Sequence, residues 1–178
     1  MRKQSDILDG FLVIDFQNGN KKALALLVKR WHDKFCYQAF GYTRNIADAQ
    51  DIVQDSWQVI MAKIDQLRDP NSFKSWAMRI VVRKSIDWVR NNKTNSGHTK
   101  ELIQEGQAEP DQESYRLNIE KIKAAIYDLP EKQQQVLQLF YIQEYSLAEI
   151  ASILEVSSGT VKSRLFYARE QLKQILKL

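Results

Sequence analysis

The stretch SLAEIASILEVSSGTVKSRLFYAREQLKQIL, residues 146–176, decides how the end of this chain folds. Ser146 stands three residues before Glu149, the spacing at which a hydroxyl and a carboxylate cap a helix start reciprocally. Leu147, Ile150, Ala151 and Leu154 then recur at helical spacing and predict an inward face. The small Ala151 lets a second helix cross closely. Glu155, Val156 and Ser157 make a tight turn, with Val156 as its apolar plug and Ser157 placed to cap the second helix. Val161, Leu165, Ala168, Leu172 and Ile175 predict the buried stripe of that second helix. Its opposite arc holds Gly159, Thr160, Ser163, Phe166 and Tyr167, flanked by Lys162 and Arg164. The pattern is that of a helix-turn-helix with the second helix as recognition helix. Ser158 and Gly159 near the helix start permit close approach of a phosphate to free N–H groups. Lys162 and Arg164 suit phosphates or guanine edges. The alternative is a helical hairpin with a solvated outer face.

Composition fits a soluble globular protein. The chain has 178 residues, with 44% hydrophobic and 27% charged side chains, a net charge of +4 and a pI near 9.1. This mildly basic balance permits a nucleic-acid partner without requiring one. Cys36 is alone and cannot form an internal disulfide, and with only His32 and His98 beside it no metal-ligand spacing exists. We therefore expect an idle thiol, no metal and no cofactor. No apolar run approaches the roughly 20 residues of a membrane span. Asp9 and Asp15 interrupt the apolar run near the N-terminus, so no secretory signal is expected there and the expected address is the cytoplasm.

Helical periodicity dominates elsewhere, and no convincing strand alternation occurs, so the expected fold is all-α. Residues 21–40 read as an amphipathic helix. A second begins near Asn45, with Ala49, Ile52, Val53, Ser56, Trp57, Ile60 and Ile64 on one side. Asp48, Asp51, Gln54, Asp55 and Gln58 lie on the other, an acidic face suited to solvent or to a basic partner. Pro70 breaks the pattern. The next helix, FKSWAMRIVVRKSIDWVRNN, carries Arg79, Arg83 and Arg90 on one stripe with Lys84 beside it, Asp87 within pairing distance of Arg83, and Trp76 and Trp88 nearby. Basic residues beside aromatics suit single-stranded or distorted DNA; a solvated face over core tryptophans is the alternative. Residues 93–114 are polar, carry Gly97, Gly106 and Pro110, turn acidic toward their end, and read as a linker between two helical units. A second unit starts near Leu117. Pro130 opens a helix whose buried stripe should be Val136, Leu137, Phe140 and Tyr141. Nothing along the chain has catalytic geometry, so no enzyme is expected.

These segments together resemble the bacterial RNA polymerase sigma factors of the extracytoplasmic-function class, which keep conserved regions two and four. DAQDIVQDSW resembles the region-two helix that docks on the polymerase clamp, SFKSWAMRIVVRKSIDWVR the helix that engages the minus-ten element, and the stretch from Leu129 to Leu172, with its GTVKSRL core, resembles region four. The resemblance implies two small helical domains, at 1–92 and 117–178, joined by a flexible linker at 93–116 that threads toward the polymerase active site and RNA exit path. The second domain would be a tetrahelical, winged-helix-like DNA-binding unit. It implies core polymerase (clamp helices and flap) and promoter DNA as partners, and allows an anti-sigma factor that would hold the chain at the membrane without insertion. Asp48, Asp51, Gln54, Asp55 and Gln58 become the polymerase-binding set. Arg68, Asn71, Ser72, Lys74, Trp76, Arg79, Arg83, Lys84 and Arg90 become the minus-ten set, with the Arg68–Ser72 loop holding a flipped base. Ser158, Gly159, Thr160, Lys162, Ser163, Arg164 and Tyr167 become the minus-thirty-five set. Two positions depart from the family pattern. Glu155 stands where a turn glycine is usual, and a side chain at positive φ costs roughly 1 kcal/mol. Arg83 stands where asparagine is usual. The rival readings are a stand-alone helix-turn-helix regulator, which would bind promoters without polymerase, and a helical adaptor that binds only proteins and shows no salt-dependent DNA affinity.

Overall fold

The computed structural model describes residues 4–92, 121–122 and 124–176, which are helical apart from short connecting turns and loops, with no strand among them. The expected linker and the expected start of the second unit at Leu117 lie outside the described residues. The chain divides into two compact units.

In the N-terminal unit, α1 (Gln4–Gln17) leads into α2 (Lys21–Thr43), α3 (Ile46–Lys63) and α4 (Phe73–Asn92). Helix α1 escapes the sequence reading because its apolar residues surround the helix rather than forming one stripe: Leu12 and Val13 are buried, while Ile7, Leu8, Phe11 and Ile14 are exposed. Gly19, at φ 99°, breaks the chain after α1, and Asn20 caps α2 by accepting the Lys22 N–H. Helix α2 outruns its expected end by three residues and stops where Arg44 turns left-handed. Asn45 then accepts the Asp48 N–H and starts α3, as its composition predicts.

The core of this unit lies where α2, α3 and α4 meet. The whole expected α3 stripe is buried, from Ala49 to Ile64. Trp31 stacks on Phe35 with ring centroids 5.7 Å apart, and Phe35 meets Trp57 at 5.3 Å. Two small polar residues sit fully buried at the helix contacts, and each is satisfied within its own helix: Ser56 Oγ donates to the Ile52 carbonyl and Ser85 Oγ to that of Val81. Asp9 of α1, buried on a helix that must pack against apolar neighbours, is held by Arg30 Nε of α2 at 2.8 Å.

In the C-terminal unit, residues 124–127 are helical and lead through Leu129 to Pro130, the cap of α5 (Glu131–Leu137). Gln134 Nε2 donates to the carbonyls of Leu129 and Tyr127 and ties that turn to the helix. Helix α5 does not continue with the expected register. Residues Gln138–Ile142 form a π turn, closed by the Gln143 N–H on the Gln138 carbonyl at 3.0 Å. The wider turn rotates the face by one residue. Leu139 is therefore fully buried with Val136 and Leu137, Phe140 is only half-buried, and Tyr141 points outward.

Helix α6 (Leu147–Leu154) and α7 (Ser158–Leu176) complete the unit. Ile150 and Ile153 are the buried residues of α6, whereas Leu147, Ala151 and Leu154 are half-buried, because so short a helix turns a narrower face inward than the spacing suggests. Val161, Leu165 and Ala168 of α7 are buried as expected. Leu172 is half-buried and Ile175 exposed, for a geometric reason: α7 has 19 residues, about 28 Å, and the α5 helix packed on it has only 7.

Candidate nucleic-acid and protein interfaces

The turn between α6 and α7 is built as its sequence indicates. Ser146 accepts the Glu149 N–H, and Glu149 Oε2 accepts the Ser146 N–H at 2.7 Å, a complete capping box. Glu155 takes the left-handed conformation (φ 55°, ψ 44°) and its N–H closes on the Ala151 carbonyl. Ser157 Oγ accepts the Thr160 N–H at 3.0 Å and pairs with the Thr160 hydroxyl at 2.9 Å. Local bonds therefore fix the start of α7.

That start presents Ser158, Gly159, Lys162, Ser163 and Tyr167 to solvent, while Thr160 and Arg164 are half-buried. Thr160 is partly committed to the cap, which leaves its hydroxyl less available than the sequence alone implies. A Cβ at Gly159 would meet only Ser157 Oγ, at 3.6 Å, so no internal packing demands glycine there. The space over the first turn stays open to a phosphate, and the unpaired N–H groups of a helix start favour an anion. Phe166 and Tyr167 stand exposed beside each other, ring centroids 5.5 Å apart. On the π turn after α5, the exposed Tyr141 accepts a hydrogen bond from Arg169 Nε of α7 at 2.8 Å, an arrangement the π turn creates and sequence periodicity hides.

In the N-terminal unit, residues Ile64–Gln66 and Pro70–Ser72 form two single-turn 3₁₀ segments around the loop that joins α3 to α4. Asp69 organises it. Its side chain accepts the Asn71 N–H at 3.1 Å, and its carbonyl accepts from the N–H and the hydroxyl of Ser72. Sequence reading passes over Asp69, although an acidic residue directly before a proline is itself a cap signal. Arg68 is exposed on this loop, and Asn71 and Ser72 are half-buried. On α4, Trp76 and Arg79 are half-buried and Arg83 and Arg90 exposed, at helical spacing along one stripe. Lys74 departs from this set: only 8% of it is accessible, and it does not join the exposed basic stripe. Asp87 pairs with Arg90, at 3.9 Å.

Asp51, Gln54, Asp55 and Gln58 are exposed on α3, opposite its buried stripe, and Asp48 is half-buried. Lys84 of α4 reaches Asp55 at 3.5 Å, so the acidic face and the basic stripe meet at this ion pair. Cys36 is half-buried, 3.5 Å from His32 Nε2, and burial together with the nearby Asp33 charge pushes its thiol pKa up. A thiol held protonated is a poor nucleophile and metal ligand. Among the described residues no cluster of three metal-ligating side chains occurs, and no helix is long and apolar enough to cross a membrane.

Residues 27–95 match the family described as Sigma-70 region 2, and residues 119–172 match Sigma-70, region 4. The chain is 30% identical over 156 residues to the RNA polymerase sigma factor SigV of Bacillus subtilis, covering 85% of this chain and 90% of that protein. It is 30% identical over 177 residues to the ECF RNA polymerase sigma factor SigW of the same organism, covering 90% and 92%. In fold it is similar to CnrH in its complex with the cytosolic domain of CnrY, with a TM-score of 0.70 at 23% identity, covering 96% of this chain and 97% of that one. It is equally similar to the sigma factor RpoE in complex with the anti-sigma factor NepR from Bartonella quintana, with a TM-score of 0.70 at 23% identity, covering 88% and 98%.

Proposed function

The chain belongs to the extracytoplasmic-function RNA polymerase sigma factors, and from that premise we propose how its surfaces divide the work. As a sigma factor it binds core RNA polymerase and directs promoter-specific initiation of transcription. The observation that carries the assignment of surfaces is the locally fixed start of α7, with Ser158, Gly159, Lys162 and Ser163 open to solvent. Helix α7 enters the major groove at the minus-thirty-five element. Lys162 and Arg164 supply charge to phosphates or a guanine edge, and Tyr167 adds an aromatic contact. The acidic face of α3 docks on a basic polymerase surface. The Arg68–Ser72 loop holds an extruded base of the minus-ten element, and the Trp76–Arg79–Arg83–Arg90 stripe follows the separated strand. Opening DNA needs only binding energy directed at the melted form, so this role calls for no catalytic group. The cytoplasm is the matching address, and an anti-sigma partner would cover the same surfaces.

The two promoter elements lie about 25 base pairs apart, roughly 85 Å. The linker that the sequence predicts at residues 93–116, taken as a flexible chain, would relax to only about 25–30 Å and reach about 80 Å when extended. The free protein would hold both elements only by stretching that segment. Polymerase offsets this entropy by holding the two units apart. Footprinting with and without core polymerase tests the proposal: the free chain should protect little DNA, through the C-terminal unit alone, and the holoenzyme should protect both elements. Equal protection of both by the free chain would favour the stand-alone regulator instead.

A further inference from the structure

We infer that α1 is a positioning brace for the Arg68–Ser72 loop, and that Gly10 and Gln17 set how that loop meets a minus-ten base. This rests on the proposed role of the loop as a base holder. Helix α1 precedes residues 27–95, the span matched by the region 2 family model. Gly10 and Gln17 stand seven residues apart, on one face of the helix, with the fully buried Val13 between them.

The two residues grip the two ends of the loop. Gln17 Nε2 donates to the Ile64 carbonyl at 2.8 Å and to the Leu67 carbonyl at 3.2 Å, where the chain leaves the first 3₁₀ turn. Gly10 lies against Asn71 in the second. A Cβ at Gly10 would stand 2.5 Å from Asn71 Oδ1, 3.1 Å from its Cγ and 3.3 Å from its Cα. The amide tip could rotate away from a methyl, but the Cα is backbone and cannot. Nor does Gly10 need its glycine for conformation, since it lies within a helix at negative φ. Close approach is what the position requires. The loop is stiffened by the Asp69 bonds to Asn71 and Ser72, so a push on Asn71 moves it as a body. Hydrogen bonds hold within a narrow range of distance and angle, so a displaced loop discriminates between bases less well. A brace that holds both ends is therefore a determinant of which base is accepted, without touching it.

The test uses intact holoenzyme and a promoter library randomised across both elements. Wild type, Gly10→Ala, Gln17→Ala and Asn71→Ala are each assembled with core polymerase, and the transcribed sequences are read. Gly10→Ala and Gln17→Ala should keep core binding and minus-thirty-five preference but lose minus-ten discrimination by about fivefold or more, the low end for one base contact. A merely structural role would lower the active fraction and leave both preferences unchanged. Should Gly10→Ala fail to fold, Gln17→Ala, which removes two hydrogen bonds and adds no atom, decides the matter. Wild-type minus-ten discrimination in the folded α1 variants, with discrimination lost in Asn71→Ala, would overturn the brace and leave the loop reading intact. Wild-type discrimination in Asn71→Ala as well would overturn the loop reading and the brace with it.

Discussion

Reversing two charges on the acidic face of α3, Asp51→Lys with Asp55→Lys, tests the docking surface without touching the core. Both side chains are exposed, on the side of the helix opposite Ile52, Val53 and Trp57. Two unit charges 4 Å apart attract by about 1 kcal/mol in water and about 4 kcal/mol at the effective dielectric of a protein surface. Against a basic partner each reversal turns attraction into repulsion, while salt screens the more distant charges. About 1–2 kcal/mol per residue is a reasonable net figure, so the pair should weaken core binding by about 2–4 kcal/mol, roughly 30- to 700-fold. The fold itself loses little. Asp55 pairs with Lys84 at 3.5 Å on the surface, and such pairs contribute about 0–1 kcal/mol. Titration of labelled core polymerase should show the loss, smaller at high salt, while circular dichroism stays helical. A folded double variant that binds core polymerase with wild-type affinity would refute the docking surface.

Arg164→Ala should weaken use of promoters carrying the minus-thirty-five element. A position-specific cost of about 1–3 kcal/mol in a mutated-promoter series means a guanine contact, whereas a loss uniform across sequences with a shallower salt slope means a phosphate contact. Glu155→Gly should raise the stability of the chain to urea by up to about 1 kcal/mol, because glycine adopts φ 55° without the Cβ penalty; a fall in stability would show that the Glu155 side chain contributes more than its backbone costs. Cys36 should react with iodoacetamide more slowly in the folded protein than in urea. Its raised pKa also sets a sign: the unfolded thiol ionises first as pH climbs, so its contribution to stability is present below the ordinary thiol range and fades above it. Equal alkylation rates in both states would contradict this.

Much of this architecture was legible in the residues, for reasons that differ by element. The α3 stripe, the helix start near Asn45 and the caps at Ser146 and Ser157 depend on local spacing, and local spacing is what a sequence displays. The left-handed Glu155 was expected only through the resemblance, which has a glycine at that turn position. Where geometry is set by packing partners, the pattern misleads. The π turn at Gln138–Ile142 moves Leu139 inward and Tyr141 outward, a shift no residue in that segment announces. Helix α1 carries apolar residues on all sides, so periodicity could not find it. The contact of Gly10 with Asn71 joins residues far apart in the chain and is invisible until both are folded. Lys74 entered the minus-ten set through the resemblance alone and is buried on α4, since a likeness in sequence does not fix which face a lysine takes.

Run-off transcription tests the central claim most directly. Purified core polymerase is supplied with fragments of the genome that encodes this chain, with and without the protein. The account predicts discrete transcripts from a small set of start sites, present only when the chain is added and lost with Asp51→Lys/Asp55→Lys. Unchanged transcription in its presence, by a chain that is folded and binds the same fragments tightly by itself, would contradict it.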